Sequence, residues 1–231
     1  PKDDKEVVIL GRTVRWTAEG IEYEADEKHR KELLKEEGLV EQSKAVVGPS
    51  VKEKTDMDDD ETDLGREEAR KFRGSAARLN YLGQDRSEIK YSIKELGKGL
   101  AHPTSHSVIK AKRLIRYLKG VPRLIINFRY QENPRGIVAW SDSDFAGCEK
   151  SRKSTSGGLV MHGNHLIKSW SVNQSVIALS SGGAEYYALV KSASIAMGIQ
   201  SLCVDLGVEC EKPIEIKSDA SAAIGICNRI G

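Results

Sequence analysis

Two aspartates stand where a buried strand is predicted to end. Residues 137–144 read Ile-Val-Ala-Trp-Ser-Asp-Ser-Asp, so an apolar run typical of a strand leads directly into Asp142 and Asp144. Residues two apart in an extended chain share a face, so both carboxylates can face the same small volume. Like charges that close need protonation or a metal ion to coexist. The spacing therefore favours a site for a hard divalent cation.

Two further acids stand at the starts of predicted helices. Glu185 opens a helical pattern over residues 184–206 and lies one turn before Leu189 on the stripe predicted to face the core. That stripe comprises Leu189, Ala193, Ala196, Ile199, Cys203 and Leu206. Asp219 follows a short predicted strand, residues 213–218, and precedes a helix start at 220–224. We therefore predict that Asp142, Glu185 and Asp219 form one carboxylate cluster.

Four segments in sequence order resemble the ribonuclease H domain of copia-type LTR-retrotransposon Pol polyproteins. They are residues 141–148 (Ser-Asp-Ser-Asp-Phe-Ala-Gly-Cys), 152–158 (Arg-Lys-Ser-Thr-Ser-Gly-Gly), 180–189 (Ser-Ser-Gly-Gly-Ala-Glu-Tyr-Tyr-Ala-Leu) and 218–223 (Ser-Asp-Ala-Ser-Ala-Ala). Four ordered motifs are far more specific than a lone Asp-x-Asp. The resemblance implies that Asp142, Glu185 and Asp219 are the catalytic, metal-binding carboxylates. Gly183 departs from the family, which usually carries a further Glu there.

The resemblance also implies a reaction. A ribonuclease H hydrolyses the RNA strand of an RNA/DNA hybrid with two Mg²⁺ ions, for which Mn²⁺ is an alternative. In that scheme Asp142 bridges both ions, Glu185 holds the ion near the leaving group, and Asp219 holds the ion that orients the water. The implied partners are the hybrid and the upstream reverse transcriptase polymerase domain of the same polyprotein. The expected location is cytoplasmic, in a retrotransposon particle, or nuclear.

Composition indicates an ordinary soluble protein. The 231 residues, 30% charged and 39% hydrophobic, leave room for one large or two modest domains. No apolar run approaches the ~20 residues of a membrane span, and the first residues, Pro-Lys-Asp-Asp-Lys, do not read as a signal peptide. We therefore expect no membrane partner. The four cysteines lack CxxC spacing and are expected to be free, buried thiols in a reducing compartment.

Charge is unevenly distributed along the chain. Residues 69–130 carry 15 Lys and Arg against 3 Asp and Glu, whereas residues 1–68 carry 12 against 21. A basic block beside an acidic metal site suits a bound polyanion, although a solvated helical surface has the same composition. The predicted nucleic-acid contacts are Lys112, Arg113 and Arg116 on a helix, and Arg152 and Lys153 on a loop.

The first part of the chain divides into three predicted segments. Residues 1–43 hold a β-hairpin, with Gly20 in the following turn, and a helix at 26–37 that Gly38 stops. This segment resembles the end of a reverse transcriptase palm and its thumb helix. Residues 44–68 form an acidic linker, in which Met57-Asp58-Asp59 lacks the apolar hairpin of a polymerase aspartate pair. Residues 69–130 form a basic helical connection, with helices at 72–83, 86–93 and 104–119.

Residues 131–231 are predicted as a ribonuclease H-like domain. The order from Arg123 is strand, Asp142 strand, two further strands, helix, strand and helix, which gives an antiparallel meander plus one parallel strand. The predicted fold class is α/β: a ribonuclease H-like mixed sheet flanked by helices, preceded by a mostly helical thumb and connection region with an N-terminal β-hairpin. Trp170 is expected in the core. His162 and His165 are expected as polar surface residues on a turn near the site.

Two other functions compete with the nuclease. The family carries a fourth carboxylate on a later helix, and we expect this chain to end before it. The alternatives are therefore a degenerate or truncated remnant that binds nucleic acid without cutting it, and a structural connection module of a reverse transcriptase.

Overall fold

The chain folds into two compact units, Pro1–Asn127 and Phe128–Gly231. The computed structural model describes residues 5–40, 42–50, 62–148 and 150–229. Those residues form two four-stranded sheets and six α-helices, which confirms the predicted α/β class. The acidic run at 56–61, with the Met57-Asp58-Asp59 stretch, lies outside the described residues. The predicted four-part division of the chain stays a prediction.

The first unit begins with an antiparallel meander. Its sheet has the order β1 (Glu6–Ile9), β2 (Arg12–Trp16), β3 (Gly20–Glu24) and β4 (Ile125–Arg129). Leu10 and Gly11 join β1 to β2 with φ of 50° and 82°, the left-handed pair that a tight hairpin requires. The predicted hairpin is confirmed, but Gly20 starts β3 where a turn was predicted. The predicted strand after Arg123 is β4, but its predicted place in the ribonuclease H-like order is wrong, because it joins this sheet and not the sheet that contains Asp142.

Four α-helices pack on one another in the first unit. They are α1 (Lys28–Glu36), α2 (Arg66–Leu82), α3 (Lys90–Lys98), which follows a 3₁₀ turn at Ser87–Ile89, and α4 (Ser105–Gly120). Their core includes Leu33, Phe72, Leu79, Leu82, Ile89, Leu114, Ile115 and Leu118. Helix α2 begins six residues earlier than predicted because buried Ala69 extends the stripe of Phe72 by one turn. The end of the predicted linker is therefore helical.

A buried acid in this unit is paired with two arginines. Glu24 is 6% exposed and accepts hydrogen bonds from Arg123 Nη2 at 2.8 Å and Arg15 Nη1 at 2.7 Å. The bond from Arg123 is the largest influence on the Glu24 pKa, which falls from the usual 4.5 to about 2. Glu24 is therefore a structural carboxylate that stays ionised because cations surround it.

The second unit contains the mixed sheet. Its strands are β5 (Ile137–Asp144), β6 (Thr155–His162), β7 (His165–Asn173) and β8 (Glu215–Lys217), in the order β7-β6-β5-β8. Strands β5, β6 and β7 run antiparallel, and β8 runs parallel to β5. Gly163, with φ of 59°, lies in the predicted turn between β6 and β7. The predicted meander with one parallel strand is confirmed.

Helix α5 (Ser181–Asp205) packs against β5 and β6, and α6 (Ser221–Cys227) packs against α5. The buried face of α5 consists of Ala184, Ala188, Leu189, Ser192, Ala196 and Ile199. The predicted stripe is therefore wrong at its end, where Leu206 is 70% exposed. Small side chains line most of this face because they let the helix backbone approach the sheet, and Ser192 satisfies its hydroxyl on the Ala188 carbonyl at 3.0 Å.

Trp170 belongs to the core of the second unit, as predicted. It is 9% exposed and packs with Ile137, Ala139 and Val160. Its indole lies over Gly158, its register partner on β6, where any Cβ would collide with the ring and with the Trp140 carbonyl. Gly158 is therefore required by close packing and not by a turn.

Candidate metal centre

The side chains of β5 alternate between the two faces of the sheet up to the end of the strand. Ile137, Ala139 and Ser141 are buried on one face, and Asp142 on the other is exposed. Asp144 is two residues further and half-buried, so the two aspartates share a face as the spacing predicted. Ser143, between them, must therefore point toward the helix-covered face.

Glu185 meets β5 through Ser143. Helix α5 starts at the N-cap Ser180, whose Oγ accepts the Gly183 N–H at 3.0 Å. Glu185 lies five residues after that cap, and its Oε1 accepts the Ser143 N–H at 3.1 Å and the Ser143 Oγ–H at 2.7 Å. Its other oxygen, Oε2, is buried and has no hydrogen-bond partner among the described residues. Two hydrogen bonds thus hold Oε1 of Glu185, and Oε2 still lacks the partner that a ligand would supply.

The neighbours of Glu185 disfavour its charge. Burial raises the pKa of this carboxyl most strongly, the Ser143 hydroxyl lowers it, and the negative charges of Asp142 and Asp219 raise it again. The net direction is upward. Asp142 and Asp219 are therefore near enough to Glu185 for their negative charges to disfavour its ionised form.

Asp219 follows β8 and lies at the same end of the sheet as Asp142. Strand β8 pairs in parallel with β5, and Lys217 is the register partner of Trp140. Asp219 and Asp142 each lie two residues beyond that pair, so they leave neighbouring parallel strands at equivalent heights. Asp219 is exposed, and the Ala220 N–H donates to Ser218 Oγ at 3.2 Å, which turns the chain toward α6. The parallel pairing thus places the first and third acids at the same end of neighbouring strands.

The three acids fit a hard divalent cation by donor type. All are oxygen ligands, which Mg²⁺ and Mn²⁺ prefer, and the unpartnered Glu185 Oε2 is the kind of orphaned oxygen that a cation would satisfy. Among the residues that the structure describes, however, no three His, Cys, Asp or Glu side chains stand close enough to chelate one ion. Glu185 is thus oriented by Ser143, whereas Asp142 and Asp219 are exposed to solvent and act on Glu185 through their charge.

A buried polar network behind Glu185 was missed by the sequence analysis. It contains Ser143, its register partner Ser156 on β6, and Gln174, which follows β7 and is 7% exposed. Strand alternation gave a usable signal for Ser143, because a serine between two aspartates that share the outer face must point inward. Gln174 gave none, since its contact with α5 depends on how the helix returns over the sheet.

The three predicted nucleic-acid-binding residues of α4 differ in solvent exposure and in the contacts of their cationic groups. Lys112 is exposed, with its Nζ 3.9 Å from Glu37 Oε2. Arg116 is half-buried and donates from Nε to the Lys44 carbonyl at 3.0 Å. Arg113 is half-buried, and its Nε is buried. Of these three, Lys112 presents the most accessible cation for a phosphate.

The loop between β5 and β6 carries the other two. Arg152 is exposed, has φ of 53°, and donates its backbone N–H to the Cys148 carbonyl at 2.6 Å. Lys153 is half-buried, and its carbonyl accepts the Cys148 N–H at 3.2 Å. These two backbone hydrogen bonds hold Arg152 and Lys153 against Cys148, and the exposed Arg152 side chain extends from that turn.

The two turn histidines do not lie near the carboxylates. His162 pairs with Ile137 at the start of β5, whereas Asp144 at its end pairs with Thr155. The prediction that His162 and His165 lie near the site is therefore wrong, because the antiparallel register places that turn at the opposite end of the strand. His165 contacts Gln131 and the Arg129 carbonyl there, and His162 lies 3.6 Å from the Cys210 sulfur. The four cysteines are free, but the prediction that they are buried is wrong, since three are half-buried and Cys227 is exposed.

One described helix, α5, is long and apolar enough to cross a membrane by length and composition alone. A single such helix is weak evidence, since core helices pass the same test. Here α5 covers β5 and β6 and carries Glu185.

The mixed sheet, its flanking helices and the carboxylates at one edge define an α/β domain of the ribonuclease H-like class. Over 156 residues, 68% of this chain, the sequence is 33% identical to the retrovirus-related Pol polyprotein from transposon RE1 of Arabidopsis thaliana. The same figures hold for the polyprotein from transposon RE2 of that plant. The chain is a homologue of a short segment of the retrovirus-related Pol polyproteins of copia-type transposons, which confirms the resemblance.

The match covers only part of those relatives. The aligned region spans 11% of the length of each of the two polyproteins. An uncharacterized mitochondrial protein of Arabidopsis thaliana is 33% identical over 125 residues, which is 53% of this chain and 51% of that protein. No family model matches the sequence. No solved structure matches the fold.

Proposed function

We propose that this segment carries a ribonuclease H site that hydrolyses the RNA strand of an RNA/DNA hybrid. The observation that carries the proposal is Glu185, held by Ser143 on one oxygen and unpartnered on the other, with Asp142 and Asp219 in electrostatic range. A purely structural acid in this position would be expected to have a cationic partner. The homology of the chain to Pol polyproteins supports the same proposal.

Asp142, Glu185 and Asp219 would hold the divalent cations. When bound, Mg²⁺ supplies a nucleophilic water and neutralises charge on the phosphoryl oxygens. The chain would supply orientation: Ser143 holds Glu185, and the parallel pairing of β5 with β8 supports a site in which Asp142 and Asp219 lie at the same end of the sheet. We propose the hybrid and an upstream polymerase domain of the same polyprotein as partners, in a cytoplasmic particle or the nucleus.

A cleavage assay on a labelled RNA/DNA hybrid tests the proposal. Wild type should cut the RNA strand with Mg²⁺ or Mn²⁺ and leave 3′-hydroxyl and 5′-phosphate ends. Glu185→Gln and Asp142→Asn should each reduce the rate by about 100-fold or more, because phosphoryl transfer depends on alignment. Asp205→Asn, the same kind of change at the other end of α5, is the matched control and should leave the rate unchanged.

A non-catalytic function is the second candidate. It is favoured by the separation of the three acids, since no described group of three metal-binding side chains is close enough to chelate. In that case the basic residues bind nucleic acid without cleavage. If wild type and Glu185→Gln are equally inert on the hybrid while both remain folded, this candidate replaces the nuclease.

Salt dependence tests the binding component of both candidates. Lys112→Gln and Arg152→Gln should each weaken hybrid binding, and each lost phosphate contact should reduce the slope of log affinity against log salt by about one. Lys168→Gln removes an exposed lysine from β7 and serves as the control. Equal slopes for all four proteins would identify these cations as solvated surface.

A further inference from the structure

Gln174 is the most buried amide side chain near the carboxylates. It lies between β7 and α5 and is 7% exposed. Burying a primary amide is costly unless its hydrogens are bonded, so its contacts indicate what it holds together. Its backbone N–H donates to the Ser154 carbonyl at 2.8 Å, which fixes the start of this side chain against β6.

Both contacts of the Gln174 side chain lead toward Glu185. Its Nε2 donates to Ser156 Oγ on β6 at 3.0 Å and to the Ala184 carbonyl on α5 at 2.8 Å. Ala184 directly precedes Glu185 in the helix. Ser156 is the register partner of Ser143, the residue that binds Glu185 from β5. One amide group therefore joins the helix that carries the acid to the strand beside the one that receives it.

The two ends of this network constrain the same side chain. Ser143 fixes one Glu185 oxygen from the sheet, and Gln174 fixes the helix backbone one residue before it. The helix could otherwise slide or rotate, because its buried face is largely alanine and serine and offers few large side chains to lock it. A shift of that kind would carry Glu185 away from Asp142.

We infer that Gln174 is a positioning residue for Glu185, which sets the distance between the helix carboxylate and the aspartates of the sheet. This inference rests on the proposed metal-dependent function. Groups that orient a metal ligand without touching the metal typically affect metal affinity or activity by about 10–100-fold when removed. Gln174 should act in this way through Ala184 and Ser156.

The variants are chosen to separate positioning from folding. Gln174→Met keeps the length and removes both donors, and Gln174→Asn keeps the amide but is too short to reach both acceptors. Gln200→Met is the matched control, since Gln200 is an α5 glutamine that donates to the Cys210 carbonyl at 3.4 Å, remote from Glu185 in the helix. All are measured in the whole chain, at a temperature where circular dichroism shows each to be folded.

The first readout is Mn²⁺ binding by titration calorimetry. Gln174→Met should bind about 10-fold more weakly or worse, Gln174→Asn should bind more weakly than wild type, and Gln200→Met should match wild type. The second readout needs no metal: the NMR shift of the Ser143 amide, which donates to Glu185. In Gln174→Met it should move toward its position in Glu185→Ala.

The outcomes distinguish this inference from the proposed function. A Ser143 amide and a Mn²⁺ affinity that both stay at wild-type values in folded Gln174→Met and Gln174→Asn would overturn the positioning role. If wild type binds no Mn²⁺, the proposed function fails, and the Ser143 amide alone decides whether Gln174 places Glu185. If Gln174→Met does not fold, Gln174→Asn carries the test. A loss in Gln200→Met equal to that in Gln174→Met would also overturn the role.

Discussion

Each unit of this chain holds a glutamate of limited exposure, Glu24 buried and Glu185 half-buried, and the two have opposite surroundings. Glu24 in the first unit accepts hydrogen bonds from Arg123 and Arg15, and its pKa falls to about 2. Glu185 in the second unit has a serine on one oxygen, two aspartates nearby and a raised pKa. The arginines beside Glu24 lower the free-energy cost of removing its charge from water. The neighbours of Glu185 do not lower that cost, which is typical of acids that bind a ligand.

The largest expected effect is a selective response to metal. Mg²⁺ or Mn²⁺ at one hundred times its dissociation constant should stabilise the second unit by roughly 2.7 kcal/mol. The first unit, whose buried acid already has cations, should not respond. Hydrogen exchange of amides in the two cores measures both units in one sample.

The control for this prediction is Asp142→Asn, which should abolish the response of the second unit. An equal response of both units to metal would mean that the ion acts through general screening, and the contrast between the two acids would be lost.

Neutralising the two glutamates should have opposite effects on the free energy of unfolding without metal. Glu24→Gln should lower it by about 1.5 kcal/mol, since hydrogen bonds to charged groups contribute roughly 1.5–3 kcal/mol. Glu185→Gln should raise it slightly because repulsion from Asp142 and Asp219 is relieved while Ser143 keeps an acceptor. Urea denaturation with residue-level detection measures both. A loss in Glu185→Gln comparable to that in Glu24→Gln would make Glu185 a structural acid.

Acid should destabilise the first unit through Glu24. Its folded pKa of about 2 lies below the usual 4.5, so the unfolded chain binds more protons between these values. The stability that Glu24 contributes is complete above pH 4.5 and is lost as the pH falls toward 2. Unfolding free energies of the first unit, measured across this range, should fall less steeply in Glu24→Gln than in wild type. Parallel profiles would show that Glu24 contributes nothing to acid stability.

The last prediction concerns Gly183, three residues after the cap Ser180. A glutamate there would complete a capping box with Ser180, so the extra acid of the family is explained as a helix-start device. Gly183→Ala should stabilise the second unit by about 0.5–1 kcal/mol, and Gly183→Glu by a few tenths of a kcal/mol more. Neither should alter Mn²⁺ affinity. A tighter site in Gly183→Glu but not in Gly183→Ala would make that acid a metal ligand and contradict this explanation.

Local sequence patterns were enough to predict the strands and helices that carry the acids. Strand alternation placed Asp142 and Asp144 on one face, and the order of strands and helices predicted a meander plus one parallel strand. These features depend on residues close together in the chain, so a local pattern contains them. Homology to Pol polyproteins followed from the same four motifs.

Only the tertiary structure decided how those elements meet. The buried face of α5 depends on close approach of small residues to the sheet, so a search for large apolar side chains misplaced its end at Leu206. The register of β6 on β5 set His162 far from Asp144 and brought Ser156 opposite Ser143. Gln174 gained its role from hydrogen bonds to residues 10 and 18 positions away. Long-range pairing and helix packing fix such contacts, and no local pattern encodes them.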